Sequence, residues 1–337
     1  MTFPRSWKTS RNDTHTRTTY LKSSAVLVTS AALSFAVVSF APLLSYHRDM
    51  SSFWKSTAVT LEMIKWEHSV FALPFALTGA ILAAGGWPRL AVLGWIVVCM
   101  VAARSAAMGF NRLVDRDLDA ANPRTATRAL ATGKLSAGYV AGFVVAGSLL
   151  FLAAAAMLNR LSLELAPLAL LVLLAYSYMK RWTRWSHLVL GLALGIAPSA
   201  AWIAVRGSLD LRIVVLTVAV MLWVGGFDVL YACQDFEHDR KVGLNSVPQA
   251  FGLEAAFWIA RIMHLGMLAM LLWLIALFGL GKLAIVGVAV VAILLCYEHS
   301  IISPKDMRRM NAAFFTLNGI ISVLFFGFVA ADVLLRR

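Results

Sequence analysis

Cysteine is almost missing from this chain of 337 residues: Cys99, Cys233 and Cys296 are its only three. They stand too far apart for a thiolate metal cluster, and Cys99 and Cys296 lie inside apolar runs as small hydrophobes, so no disulfide framework is implied. Acidic side chains are scarce as well, 17 against 30 Lys and Arg, for a formal charge of +13. All charged residues together make up 14%, where a soluble domain carries about 25%. No Gly-rich nucleotide loop is present, the histidines show no metal-ligand spacing, and no polar block of soluble-domain size separates the apolar runs. These absences exclude a secreted disulfide scaffold and a soluble nucleotide-dependent enzyme, and imply no soluble cofactor.

What the chain does contain is apolar: 60% of its residues, gathered into runs long enough to cross a bilayer. Nine candidate spans lie near 69–86, 90–110, 136–158, 163–179, 187–205, 211–232, 257–280, 282–297 and 312–335. The expected fold is all-α, a polytopic membrane protein of nine transmembrane helices in one domain over 50–337. Basic residues follow the spans unevenly. The loops after spans two, four, six and eight hold thirteen Lys and Arg between Arg112 and Arg309, and the opposite loops hold five. By the positive-inside rule the thirteen face the cytoplasm of a bacterial plasma membrane, so the charge orients loops and calls for no nucleic acid. A further apolar run at 24–44 follows a basic stretch. A crossing there would carry that stretch to the wrong side, so residues 1–49 are expected to be an extension that is interfacial, disordered or untranslated, with Met50 as a plausible start.

The sparse acids cluster. Span two ends in Asn111-Arg112-Leu113-Val114-Asp115-Arg116-Asp117-Leu118-Asp119, whose four-residue spacing puts Asn111, Asp115 and Asp119 on one helix face. Span six ends in a run from Asp228 to Asp239 in which Asp235 and Asp239 repeat that spacing, with Tyr231 in the place of Asn111. The two runs form a weak internal repeat on one expected side of the membrane. Carboxylates at membrane depth cost about 2.5–3.5 kcal/mol each, and like charges four residues apart repel. Solvated loop charges are the bland alternative, but a hard divalent cation answers both difficulties, and Mg²⁺ typically joins one or two carboxylates to substrate phosphate oxygens. Arg124 and Arg128 follow the first run, Lys241 closes the second, and Lys180 comes from the segment after span four; all four suit a diphosphate.

Arg104 is the most isolated charge, set among alanines seven residues before Asn111, and Asp228 stands seven residues before Asp235. Either the two pair with each other, or they address a second substrate, Arg104 by a carboxylate and Asp228 by a hydroxyl. His68 opens span one near the expected cytoplasmic surface and is a candidate to face substrate. The remaining histidines, His187 included, are discounted.

The N-x3-D-x3-D run (Asn111, Asp115, Asp119), the D-x6-D-x3-D run (Asp228, Asp235, Asp239), the Y-x3-K loop (Tyr176, Lys180) and the pair Arg124 and Arg128 together resemble the UbiA superfamily of intramembrane prenyltransferases, over about residues 60–335. The resemblance implies a helical bundle around a central cavity, with two Mg²⁺ ions held by the Asp runs against a polyprenyl diphosphate. Glu67–Gly79 and Ala103–Met108 are most similar to bacterial 4-hydroxybenzoate polyprenyltransferases. The expected reaction therefore prenylates the ring carbon ortho to the hydroxyl of 4-hydroxybenzoate, in ubiquinone or menaquinone synthesis, with Asp115, Asp228 and Asp235 as catalytic groups. A dihydroxynaphthoate acceptor and, more remotely, cation-coupled transport are the alternatives. Oligomeric state is left open.

Overall fold

The computed structural model describes residues 52–64 and 72–336. His68 and the 24–44 run lie outside the described residues. Thr57–Arg337 forms one compact unit, and among the described residues there is no strand, only an isolated bridge between Ser303 and Asp306.

Helix α1 (Ser52–Ile64) precedes the first expected span. Then follow α2 (Leu73–Ala84), α3 (Leu90–Val114) and the short α4 (Arg116–Ala121). Next come α5 (Ala137–Ala156), α6 (Arg160–Trp182), α7 (Ser186–Arg206) and α8 (Leu211–Ala232). The chain continues through α9 (Phe236–Val242), α10 (Val247–Phe251), α11 (Leu253–Phe278), α12 (Lys282–Ile301) and α13 (Asn318–Leu335). Eight of the helices are long and apolar enough to cross a membrane, so the protein is a multi-pass membrane protein. The ninth, α2, has 12 residues and is about 18 Å long, shorter than the roughly 30 Å hydrocarbon layer. Pro74 at its start and Gly85, whose left-handed backbone caps its end, delimit it within the expected 69–86 span. The ninth span begins as a π-helical turn, Ala312–Leu317, before settling into α13.

Two devices set the packing. Small residues let backbones meet: a Cβ on Gly191 of α7 would lie 2.2 Å from the Met221 carbonyl oxygen of α8, and one on Gly79 of α2 would lie 2.3 Å from that of Pro198. Large ones fill the space between α2, α8, α11 and α13, where Trp223 meets Phe75 at 5.0 Å and Phe227 at 5.1 Å between ring centroids, and Phe325 stacks on Phe75. Trp223 also donates its indole N–H to the buried Asn318 at 2.8 Å. Without bulk hydrophobic drive inside lipid, such close approach and interhelical hydrogen bonding hold the helices together.

Candidate functional site

Both acidic runs sit where a long helix ends and a short one begins. Asp115 closes α3 and opens α4 at φ −94°, ψ 7°. Asp235 closes a 3-10 turn after α8 and opens α9 at φ −97°, ψ 6°. The repeat seen in the sequence is therefore also a repeat of backbone: the same sparsely populated conformation at the middle acid of each run. The helix turns at the acid, yet Asn111 still donates to Asp115 at 3.0 Å, the Asp119 amide still reaches the Asp115 carbonyl at 2.7 Å, and the three residues keep to one side.

The two ends meet across the bundle. Arg124 forks onto Asp235, its Nε at 2.8 Å from Oδ1, and reaches the Tyr231 hydroxyl at 3.2 Å. Asn122 adds a bond to Asp235 at 3.1 Å. Burial alone favours the neutral form of Arg124, but its bonds to Asp235 outweigh that and hold its pKa above the ordinary value. Asp119 is met by Arg128 at 2.6 Å and by Arg112 at 3.7 Å. Asp115, 1% exposed, is met by Lys180 at 2.8 Å and Arg181 at 3.1 Å. Carboxylate crowding is thus answered inside the protein by cations. The Tyr176–Lys180 segment, expected as a loop, lies in the last turns of α6, which runs to Trp182. That helix places Lys180 and Arg181 one residue apart on the same carboxylate.

A cavity of ≈730 Å³ extends from this polar end into the bundle. Asn111, Asp115, Asp119, Arg124, Arg128, Tyr176, Lys180, Asp228, Asp235 and Asp239 all line it. Its deeper wall is apolar, with Leu165, Leu209 and Val214. Leu168, also on that wall, is 59% exposed, so the cavity is open along α6. Arg104 stands on the wall two turns deeper than Asn111, and its Nε has no hydrogen-bond partner. It does not pair with Asp228. That carboxylate is taken by His187, whose Nδ1 lies 2.7 Å from Oδ2. Lys241 is the exception among the expected residues: it stands exposed at the end of α9 and is not on the cavity wall.

The donor set fits a hard cation. It is made of carboxylate and amide oxygens from two helix ends facing one cavity. Among the described residues no three His, Cys, Asp or Glu side chains converge on one point. Asn122, Arg112, Arg181 and His187 belong to this site and escaped the reading of the sequence. For Arg181 the signal was its place beside Lys180. The other three are identified by partners distant in the chain or across a helix break.

The UbiA prenyltransferase family model matches residues 72–320. A 4-hydroxybenzoate octaprenyltransferase of Nitrosospira multiformis is 31% identical over 260 residues, covering 77% of this chain and 89% of that one. Among solved structures, a UbiA homolog of Aeropyrum pernix shares 33% identity with a TM-score of 0.73, covering 80% of this chain and 98% of its own. A UbiA homolog of Archaeoglobus fulgidus, solved with DMAPP and Mg²⁺, has the same fold at 21% identity and a TM-score of 0.64, over 81% of this chain and 98% of that one.

Proposed function

Since this chain belongs to the UbiA prenyltransferase family, we propose that its cavity joins a polyprenyl diphosphate to 4-hydroxybenzoate at the ring carbon ortho to the hydroxyl, as a step of respiratory quinone synthesis. The observation that carries this reading is the division of one cavity into an ionic end made by two acidic helix breaks and an apolar depth that is open along α6. A diphosphate belongs at the first and an isoprenoid chain at the second, with its far end free to lie in the bilayer.

Asn111, Asp115, Asp119, Asp235 and Asp239 would hold Mg²⁺, two ions where one serves each run. Bound there, the ions would supply positive charge to a diphosphate leaving group. Arg124, Arg128 and Lys180, with Arg181, surround the same end and offset charge on the departing group without having to reorganise. Arg104 is deeper, beyond the diphosphate, where its guanidinium can fork onto the acceptor's carboxylate. The acceptor's hydroxyl and its ortho hydrogen lie on the same edge of the ring, so one carboxylate, Asp228, can serve both. It orients the hydroxyl and takes the ring proton after the carbon–carbon bond forms. The apolar wall keeps water from the allylic cation. By the charge of its loops, the ionic end faces the cytoplasm of the plasma membrane.

The test is an acceptor panel. Membranes carrying the protein, given labelled polyprenyl diphosphate and Mg²⁺, are expected to yield a lipid-soluble product with 4-hydroxybenzoate, prenylated beside the hydroxyl. Product only with 1,4-dihydroxy-2-naphthoate would move the acceptor assignment and leave the donor site intact. Donor left unconsumed with every acceptor would overturn the reading.

A further inference from the structure

His187 occupies the first turn of α7, is 4% exposed, and has both ring nitrogens engaged. The backbone N–H of Val247 donates to Nε2 at 3.3 Å, and Nδ1 lies 2.7 Å from Asp228 Oδ2. An imidazole that accepts a hydrogen bond at one nitrogen carries its proton on the other. The Val247 amide therefore selects the tautomer whose Nδ1–H donates to Asp228. Among the described residues no hydrogen bond engages Asp228 Oδ1. One oxygen is fixed and the other is left for chemistry in the cavity that Asp228 and His187 both line.

Val247 also ends a short strap that ties down the ionic end. The Asn245 amide donates to the Lys180 carbonyl at 2.8 Å, and its side chain donates to that of Arg181 at 3.2 Å. Within three residues the strap touches the two cations of Asp115 and the imidazole behind Asp228.

Building on the proposed aromatic prenylation, we propose that His187 is a positioning residue that aims Asp228 at the ring hydrogen, with Val247 of the strap setting its tautomer. After attack on the allylic cation the ring carbon carries both the prenyl group and its hydrogen. The carbon–hydrogen bond breaks, its electron pair restores the aromatic ring, and the proton goes to Asp228 Oδ1. His187 keeps its own proton throughout and holds Oδ2 in register.

The experiment uses the full chain in liposomes, with 4-hydroxybenzoate carrying deuterium or hydrogen at both carbons beside the hydroxyl. His187→Leu removes both hydrogen bonds. A misaimed base is expected to cost on the order of 10²-fold in kcat, with a primary isotope effect larger than that of wild type and an unchanged KM for polyprenyl diphosphate. His187→Gln is expected to retain most of the rate and the wild-type isotope effect, because an amide spans its oxygen and nitrogen much as imidazole spans its two nitrogens. Val247→Pro, which deletes the N–H at the start of α10 along with the buried valine side chain, is expected to raise the isotope effect in the same direction in protein that still inserts, and decides the matter if His187→Leu fails to insert. Equal losses in the Leu and Gln variants with no change in isotope effect would overturn the inference, as would a Leu variant that turns over like wild type. Wild type that prenylates no aromatic acceptor would instead sink the reaction on which the inference rests.

Discussion

Residue by residue, the legible part of the site is the part written at helical spacing. Asn111, Asp115 and Asp119, and likewise Asp235 and Asp239, could be grouped because four residues make about one turn. Arg104 could be singled out because a lone charge inside an apolar span needs a reason. Asn122 and His187 could not. Asn122 meets Asp235 across 113 positions, and His187 meets Asp228 across 41 and Val247 across 60. Nothing local marks such partnerships. The structure also decides the pairing that the sequence left open: Asp228 takes His187, and Arg104 does not pair with it. Arg104→Lys keeps the charge and loses the planar fork. The apparent KM for 4-hydroxybenzoate is expected to rise while that for polyprenyl diphosphate holds, as read in initial rates with each substrate varied. A rise in the donor constant alone would assign Arg104 to the diphosphate. Asp115→Asn and Asp235→Asn keep size and remove one carboxylate charge from each run. Each is expected to lower kcat by at least about 10²-fold in protein that still inserts, and near-normal turnover of either would contradict the two-run site.

At the scale of elements, periodicity and length placed the long helices well. The sixth span coincides with α8 at Leu211–Ala232, and the others shift by a few residues at their ends. What the reading missed are interruptions: the breaks at Asp115 and Asp235 and the π-turn before α13. The residues around the first two are ordinary helix formers, so intrinsic preference did not reveal the turns. The pairing of α7 with α8 was equally hidden, since it depends on which glycine meets which carbonyl. Gly191→Ala is expected to push α7 from α8 and destabilise the fold by about 1–3 kcal/mol, the usual range for overpacking. It should also lower affinity for both substrates, because His187 and Asp228 sit on those two helices. A melting temperature in detergent equal to wild type would show that the contact yields without cost.

For the whole molecule, the excess of apolar residues was enough to give a helical bundle, because lipid permits few other solutions for the backbone. The shape of the cavity was not readable, since its walls come from helices far apart in sequence. What unifies the chain is a repeat: two helix ends, each broken at an acid with nearly the same backbone angles, face one another over a single cavity and are each clamped by cations from elsewhere. On the proposed function, these two ends together grip a diphosphate through Mg²⁺. Binding of a non-ionising allylic thiodiphosphate to the purified protein tests it without requiring turnover. Wild type is expected to bind with Mg²⁺ and lose the ligand on adding EDTA, and Asp115→Asn and Asp235→Asn are each expected to bind weakly even with Mg²⁺. Binding that survives EDTA, or that neither substitution weakens, would contradict the account.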